Sequence, residues 1–440
     1  MRRKVLGRTG PGWKILFVIG TAFLLIGLRP SRASAFPAFA RKYGLNCTAC
    51  HEAWPALNDF GRSFRDNGYQ LLEGRDNPTG IAPSSLPLSL RLTPHYELNM
   101  ATHQLTDQGT KTLKSGSIAD IGLDLLIGGT LFDNVSYLVV PTGFTSGDGV
   151  TLESAWVRFS NLGGSSWANL KVGLHEVDLP RSAHRPWSLS SSGYLIYGYH
   201  SPGAASAFDL GENQRGVEWV GHDRSSMTRA AVSFFSVQGS PGSQNAFDTP
   251  GFYAHVTHQW VFEHDGLSAV RLGGFGSYTT WPTGSLTLDG EPIPGQGTDL
   301  KSSTKVGVDA NVWFGPSVTP FHLIAAFAHG QDDKALVPNA TRDGTFNGGF
   351  VEIGYTPALK TTIFGRYDVI RNQTQGVTEN PQNLGDKDAQ TIGLRHSFNT
   401  SHSDAYTLHV EFSTMQTKLA AEDGADLRNS TVFAGIDFAF

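Results

Sequence analysis

Cys47-Thr-Ala-Cys-His51 holds both cysteines of this 440-residue chain, three positions apart and directly before a histidine. Cys-x-x-Cys-His is the attachment pattern of c-type haem. The two thiols add to the vinyl groups of the porphyrin, and the adjoining imidazole becomes an axial ligand of the iron. Cys47 and Cys50 would then be the thioether residues and His51 the axial ligand, together holding one covalent haem c. Two other chemistries use similar residues. A zinc centre takes about four Cys or His ligands, and no second cysteine pair is present to complete one. A thioredoxin-like dithiol needs a βαβ setting and gives His51 no task.

Covalent haem attachment takes place outside the cytoplasm, so the N-terminus bears on the chemistry. Arg2, Arg3, Lys4, Arg8 and Lys14 flank and precede the apolar run from Ile15 to Leu28, and Ala33-Ser34-Ala35 offers a small-x-small cleavage site. The run is shorter than the ~20 residues of a membrane helix and suits the core of a signal peptide. Residues 1–35 are therefore expected to be a signal peptide, with the mature chain starting at Phe36. Removing them takes away seven basic residues and no acidic one, so the formal net charge of −5 becomes −12. An acidic exported chain is poorly suited to nucleic acid, and no such partner is expected.

Residues 85–440 carry a period of two rather than a helical one. Val306, Val308, Ala310, Val312 and Phe314 alternate with Lys305, Gly307, Asp309, Asn311 and Trp313; Tyr406, Leu408, Val410 and Phe412 alternate with Thr407, His409, Glu411 and Ser413. The final stretch does the same, with Val432, Ala434, Ile436, Phe438 and Phe440 on one parity. Such alternation describes strands with one apolar face. A last strand ending in Phe is similar to the closing strand of bacterial outer-membrane barrels, where it serves as the assembly signal.

The connections decide between a soluble sandwich and a membrane barrel. Short turns fall at Phe132 to Asn134, Asn161 to Ser166, Asp223 to Ser226, His264 to Gly266, Gly315 to Ser317, Pro357 to Leu359 and Asn399 to Ser403. Between them lie longer polar segments, at Thr102 to Ser115, Glu176 to Arg215, Gly239 to Pro250, Trp281 to Ser302, Gly330 to Thr345, Arg371 to Asp386 and Lys418 to Leu427, with only Ser146 to Gly149 shorter than its set predicts. Tight inner turns alternating with long outer loops are the build of an outer-membrane barrel. The expected fold is an all-β transmembrane β-barrel of about 16 antiparallel strands with a small N-terminal α-helical monohaem cytochrome c segment at residues 36–80. A mean hydropathy of −0.20 fits it, because only alternate residues meet lipid. Asp309, Asn311, Glu352, Arg366, Asp368 and Glu411 then face a polar lumen.

In residues 36–80, Pro55 suits a first helical turn, Leu57, Phe60, Gly61 and Phe64 recur at helical spacing, and Asn67-Gly68 reads as a stop. Phe39-Ala-Arg-Lys-Tyr-Gly44, Cys47-Thr-Ala-Cys-His51, Pro55-Ala-Leu-Asn-Asp-Phe-Gly61 and Gly68-Tyr69 together resemble the fused monohaem cytochrome–porin family of bacterial outer membranes. The likeness in sequence covers about forty residues, and the order of signal peptide, cytochrome segment and barrel extends it to the whole architecture. Where iron-oxidising members tend to read Phe-Ala-Arg-Gln-Thr-Gly, this chain has Lys42 and Tyr43. The resemblance implies electron transfer across the outer membrane, with a periplasmic electron-carrier protein on one side. On the other it implies an extracellular donor or acceptor, ferrous iron leading, which would make the chain an iron oxidase.

Residues 36–80 contain no methionine and no histidine but His51. A sixth iron ligand must come from the barrel, where His95, His255, His322 and His409 are the candidates, or from loop residues His175, His184 and His200; otherwise the iron is five-coordinate. No distal Arg/His arrangement of a haem peroxidase can be read. The rival expectation is a porin or substrate transporter in which the haem is a structural plug.

Overall fold

The computed structural model describes Phe39, Tyr43, Leu45, residues 47–53 and 56–71, and most of 87–439, with breaks that fall between strands. The expected signal peptide and the terminal Phe440 lie outside the described residues. The N-terminal part holds a helical turn α1 (Cys47–Cys50), a small strand pair β1 (His51–Ala53) and β2 (Ala56–Leu57), and helix α2 (Asp59–Asp66).

Sixteen strands then close into a barrel. They begin with β3 (Leu88–Thr106), β4 (Gly109–Phe132), β5 (Val135–Thr142), β6 (Thr151–Phe159), β7 (Asn169–His175), β8 (Gln214–His222) and β9 (Thr228–Val237). β10 (Thr249–His264) and β11 (Leu267–Thr283) follow, and β12 (Thr287–Leu288) with β13 (Glu291–Pro292) makes a separate two-stranded hairpin. The barrel resumes with β14 (Asp299–Phe314), β15 (Phe321–Asp332), β16 (Gly344–Ala358) and β17 (Thr361–Asn372). It ends with β18 (Lys387–Ser397), β19 (Ala405–Thr417) and β20 (Leu427–Ala439). Every neighbouring pair is antiparallel, and β20 returns to β3, which leaves no open edge.

The period of two sets the two faces. Along β14, Lys305, Asp309 and Asn311 are buried while Val306 and Val308 are exposed; along β19, His409 and Glu411 are buried while Val410 and Phe412 are exposed. Polar side chains therefore line the inside, and an apolar belt covers the outside. That is the pattern of a sheet whose solvent is hydrocarbon on one face only. No helix of the described residues is long and apolar enough to cross a membrane, so the strands are what could cross.

Two expectations are corrected. Thr102 to Ser115 is not an open loop: β3 and β4 stay paired as far as Thr106 and Gly109. Backbone pairing satisfies its polar groups whether or not lipid surrounds it, so a polar sequence does not end a strand there. Helix α2 also starts later than Pro55. Asn58 accepts from the Gly61 amide at 2.8 Å as its N-cap, and Leu57 pairs with His51 in the β1–β2 ladder instead.

Candidate functional site

The Cys-x-x-Cys stretch forms α1, so its two cysteine positions lie three apart on one face of a helical turn. The Cys50 thiol is half-buried and in no disulfide, and burial pushes its pKa up, which keeps it neutral. His51 follows at once in β1. Asn58 ties this turn to α2. Its amide donates to the Cys50 carbonyl at 2.9 Å and its side chain donates to the Ala49 carbonyl at 3.0 Å. A Cβ at Gly61 would stand 2.1 Å from the Cys50 carbonyl oxygen, so only glycine lets α2 lie this close to α1.

Helix α2 ends where it meets the barrel. Gly68 and Tyr69 both take positive φ, 73° and 61°, and a Cβ on Gly68 would lie 2.4 Å from Ser160 Oγ on the wall. The turn aims the Tyr69 ring between Phe39, stacked at 4.6 Å, and Trp156 of β6, stacked at 6.1 Å. Phe64 touches Phe39, Tyr43, Phe60 and Tyr69. The segment thus has an aromatic core of its own that continues into the barrel.

Its polar anchors all reach the short-turn end of the barrel. The buried Asp66 carboxylate pairs with Arg229 of β9 at 2.9 Å and with Arg65 at 3.0 Å. Arg158 of β6 donates to the carbonyls of Arg65 and Asp66, and His222 Nε2 donates to the Asp66 carbonyl at 2.9 Å. These donors satisfy backbone acceptors at the end of α2 that have no partner within the helix. Burial works to raise the Asp66 carboxyl, but Arg229, Arg65 and Arg158 outweigh it and hold the group well below the usual carboxylate range. Ser63 donates to the Ser225 carbonyl, Gln70 to that of Phe132, and Arg62 contacts Gln259 of β10.

The described residues of the connection from 176 to 213 do not project outwards; they fold into the lumen and are pinned to its wall. Asp178 meets Arg229 at 3.0 Å and His255 Nδ1 at 3.2 Å. Arg181 pairs with Glu352 at 3.1 Å, and the Tyr194 hydroxyl donates to Glu352 at 3.0 Å. The Leu195 amide, at the start of α3 (Leu195–Gly198), donates to Asp368, and that of Leu189 donates to Glu411. Arg229 thereby joins the N-terminal segment and the lumen connection through one guanidinium.

The sequence candidates for a sixth ligand are scattered over this lumen. His255 has both ring nitrogens committed, Nδ1 to Asp178 and Nε2 to Asp309 at 2.9 Å. His200 is engaged likewise by Asp332 and the Phe208 carbonyl. His409 Nε2 lies 2.9 Å from Glu411 while its Nδ1 is buried without a hydrogen bond. His95 stacks on Phe433 at 4.2 Å with Nδ1 at the Thr93 carbonyl, and His322 stacks on Trp313 at 4.3 Å. His175 Nδ1 lies at the Gly173 carbonyl, and His184 is 3.6 Å from Glu153. Of these, His322 is joined to the N-terminal segment, because Arg62 of α2 lies over the same Trp313 ring at 4.9 Å. Among the described residues no three His, Cys, Asp or Glu are grouped to hold a free metal ion.

Arg62, Asp66, Arg158, His222 and Arg229 were not singled out from the sequence, since each reads alone as a solvated surface group. The length of the 176–215 segment, the longest between strands, was the one available signal that it does more than connect.

No protein-family profile and no curated protein matches the chain. Solved structures do. The barrel is similar to an anion-selective porin from Comamonas acidovorans, with a TM-score of 0.51, 11% identity, and 80% of this chain and 99% of that one covered. It is also similar to the outer membrane channel DcaP of Acinetobacter baumannii, with a TM-score of 0.50, 12% identity, and 80% and 97% covered. At such identities the likeness defines the fold: a closed 16-stranded antiparallel barrel of porin type.

Proposed function

We propose that this chain is an outer-membrane barrel that passes single electrons through one haem c, attached at Cys47 and Cys50 and ligated by His51, and that its bore is filled rather than open. A c-type haem supplies reversible one-electron exchange between ferrous and ferric iron. The observation that carries the reading is the seat of the Cys-x-x-Cys-His segment. Its helix ends inside the barrel's short-turn mouth, held by Asp66, Arg158, Arg229 and His222. Residues of the chain then do three things. α1 and Gly61 set the two cysteine positions three apart on one helical turn, the aromatic cluster around Phe64 keeps water away, and the connection 176–213 obstructs the path of solutes. The partners implied are outer-membrane lipid around the barrel, a periplasmic electron-carrier protein at the inner mouth and ferrous iron outside. The net charge of −12 on the mature chain would gather small cations from solution.

A second reading is a porin or transporter in which the haem segment is a structural plug. Its support is the likeness to proteins described as an anion-selective porin and an outer membrane channel. Two measurements on protein from a host competent in cytochrome c maturation test the haem and then separate the readings. Intact mass should report one covalent haem in the wild type and far less in Cys47→Ala under either reading. Liposome swelling reports solute flux, which stays low under the first reading and is high under the second.

A further inference from the structure

Arg271 of β11 makes no direct ion pair among the described residues, although the carboxylates of Asp309 and Asp178 lie near enough to act on its charge. The Arg271 Nε is buried with no hydrogen-bond partner. Asp309, on the neighbouring strand, bonds His255 instead. The Arg271 guanidinium lies over the Trp313 ring at 5.4 Å, and the Arg62 guanidinium lies over the same ring at 4.9 Å. Two cations gathered at one indole repel each other, and cation–π attraction offsets only part of that. Among the described residues, Arg62 has one carboxylate partner, the exposed Asp59 of α2. Arg62 also donates through Nη1 to the Leu57 carbonyl at 3.0 Å, and Leu57 is the ladder partner of His51. One of the two guanidiniums is therefore tied to the backbone of the residue that pairs with His51.

We propose that Arg62 and Arg271 form a clamp for the carboxylate side chains of the porphyrin, so that a barrel strand completes the haem site begun by Cys47, Cys50 and His51. The inference rests on the haem reading above. Guanidinium forks suit carboxylates because they offer paired, parallel donors, and a carboxylate between them relieves the repulsion each feels from the other. Held between Arg62 and Arg271, those carboxylates would lie by the β11–β14 wall, where Trp313 and His322 are stacked.

The test uses the full-length haem protein in detergent, with the midpoint potential followed against pH in a spectroelectrochemical cell. Ferric haem carries one more positive charge than ferrous haem, so loss of a nearby cation favours the ferric form. Arg271→Gln should make reduction about tenfold less favourable, about 59 mV for one electron, and should move the pH-dependent region of the potential upwards. Arg271→Lys should restore most of the wild-type value. Arg215→Gln, an exposed residue of β8, should leave it unchanged. Wild-type protein without covalent haem would remove the reading on which the clamp rests. Fully haem-loaded Arg271→Gln with the wild-type potential at every pH would overturn the clamp and leave the haem reading intact. Should Arg271→Gln not assemble, Arg62→Gln carries the same prediction and the same refutation.

Discussion

A carboxylate sealed between guanidiniums is costly to leave unpaired from either side, and Asp66 is in that position. Removing one partner of a buried ion pair costs about 3–5 kcal/mol, so Asp66→Asn should release α2 from the barrel mouth. Hydrogen exchange over residues 59–71 should then quicken while the strands stay protected. The pH dependence follows from the sign of the shift. The Asp66 carboxyl is depressed in the folded state, so its contribution is complete above the ordinary aspartate value of about 3.9. It is lost only as pH falls through the lower folded value. Protection of α2 in the wild type should therefore survive mild acid, and the Asn variant should lack it even at neutral pH. Gly61→Ala puts a methyl group where the Cys50 carbonyl stands and should lower haem incorporation without unfolding the barrel. Gly61 and the cysteine motif were legible because each belongs to a contiguous pattern. Asp66, Arg158 and Arg229 were not, because 92 and 163 positions separate the partners from Asp66 and only a closed barrel brings them together.

At the scale of elements, the period of two and the alternation of connection lengths led to an expectation of about sixteen strands, and to the faces of residues such as Asp309, Glu352 and Glu411, and the barrel has sixteen. The errors have physical causes. Thr102 to Ser115 is polar enough for a loop, yet pairing along β3 and β4 satisfies the backbone regardless of side chain. The late start of α2 came from Asn58, whose cap competes with the helical spacing that includes Leu57. The path of 176–213 could not be read at all, since it depends on Glu352, Asp368 and Glu411 projecting from strands far along the chain. The topology makes a direct prediction. A cysteine at Gln331, exposed at the long-loop end, should label in intact cells with a reagent that does not enter. One at Arg224, exposed in a short turn, should label only after the cells are opened. The reverse pattern would invert the barrel and place the N-terminal segment on the outer side.

The whole molecule combines a barrel that closes on itself, a connection pinned to its inner wall, and one candidate redox motif seated at its short-turn mouth. A hydrocarbon layer insulates against ions and electrons alike, so a redox group set inside a protein wall is what would make it conduct. The most direct test is stopped-flow reduction of the haem in liposomes, with the barrel oriented so that ferrous iron meets only the long-loop side. Rapid one-electron reduction in the wild type, and none in His51→Ala, is the result this account predicts. A wild-type haem that stays oxidised under those conditions while small solutes pass freely would contradict it.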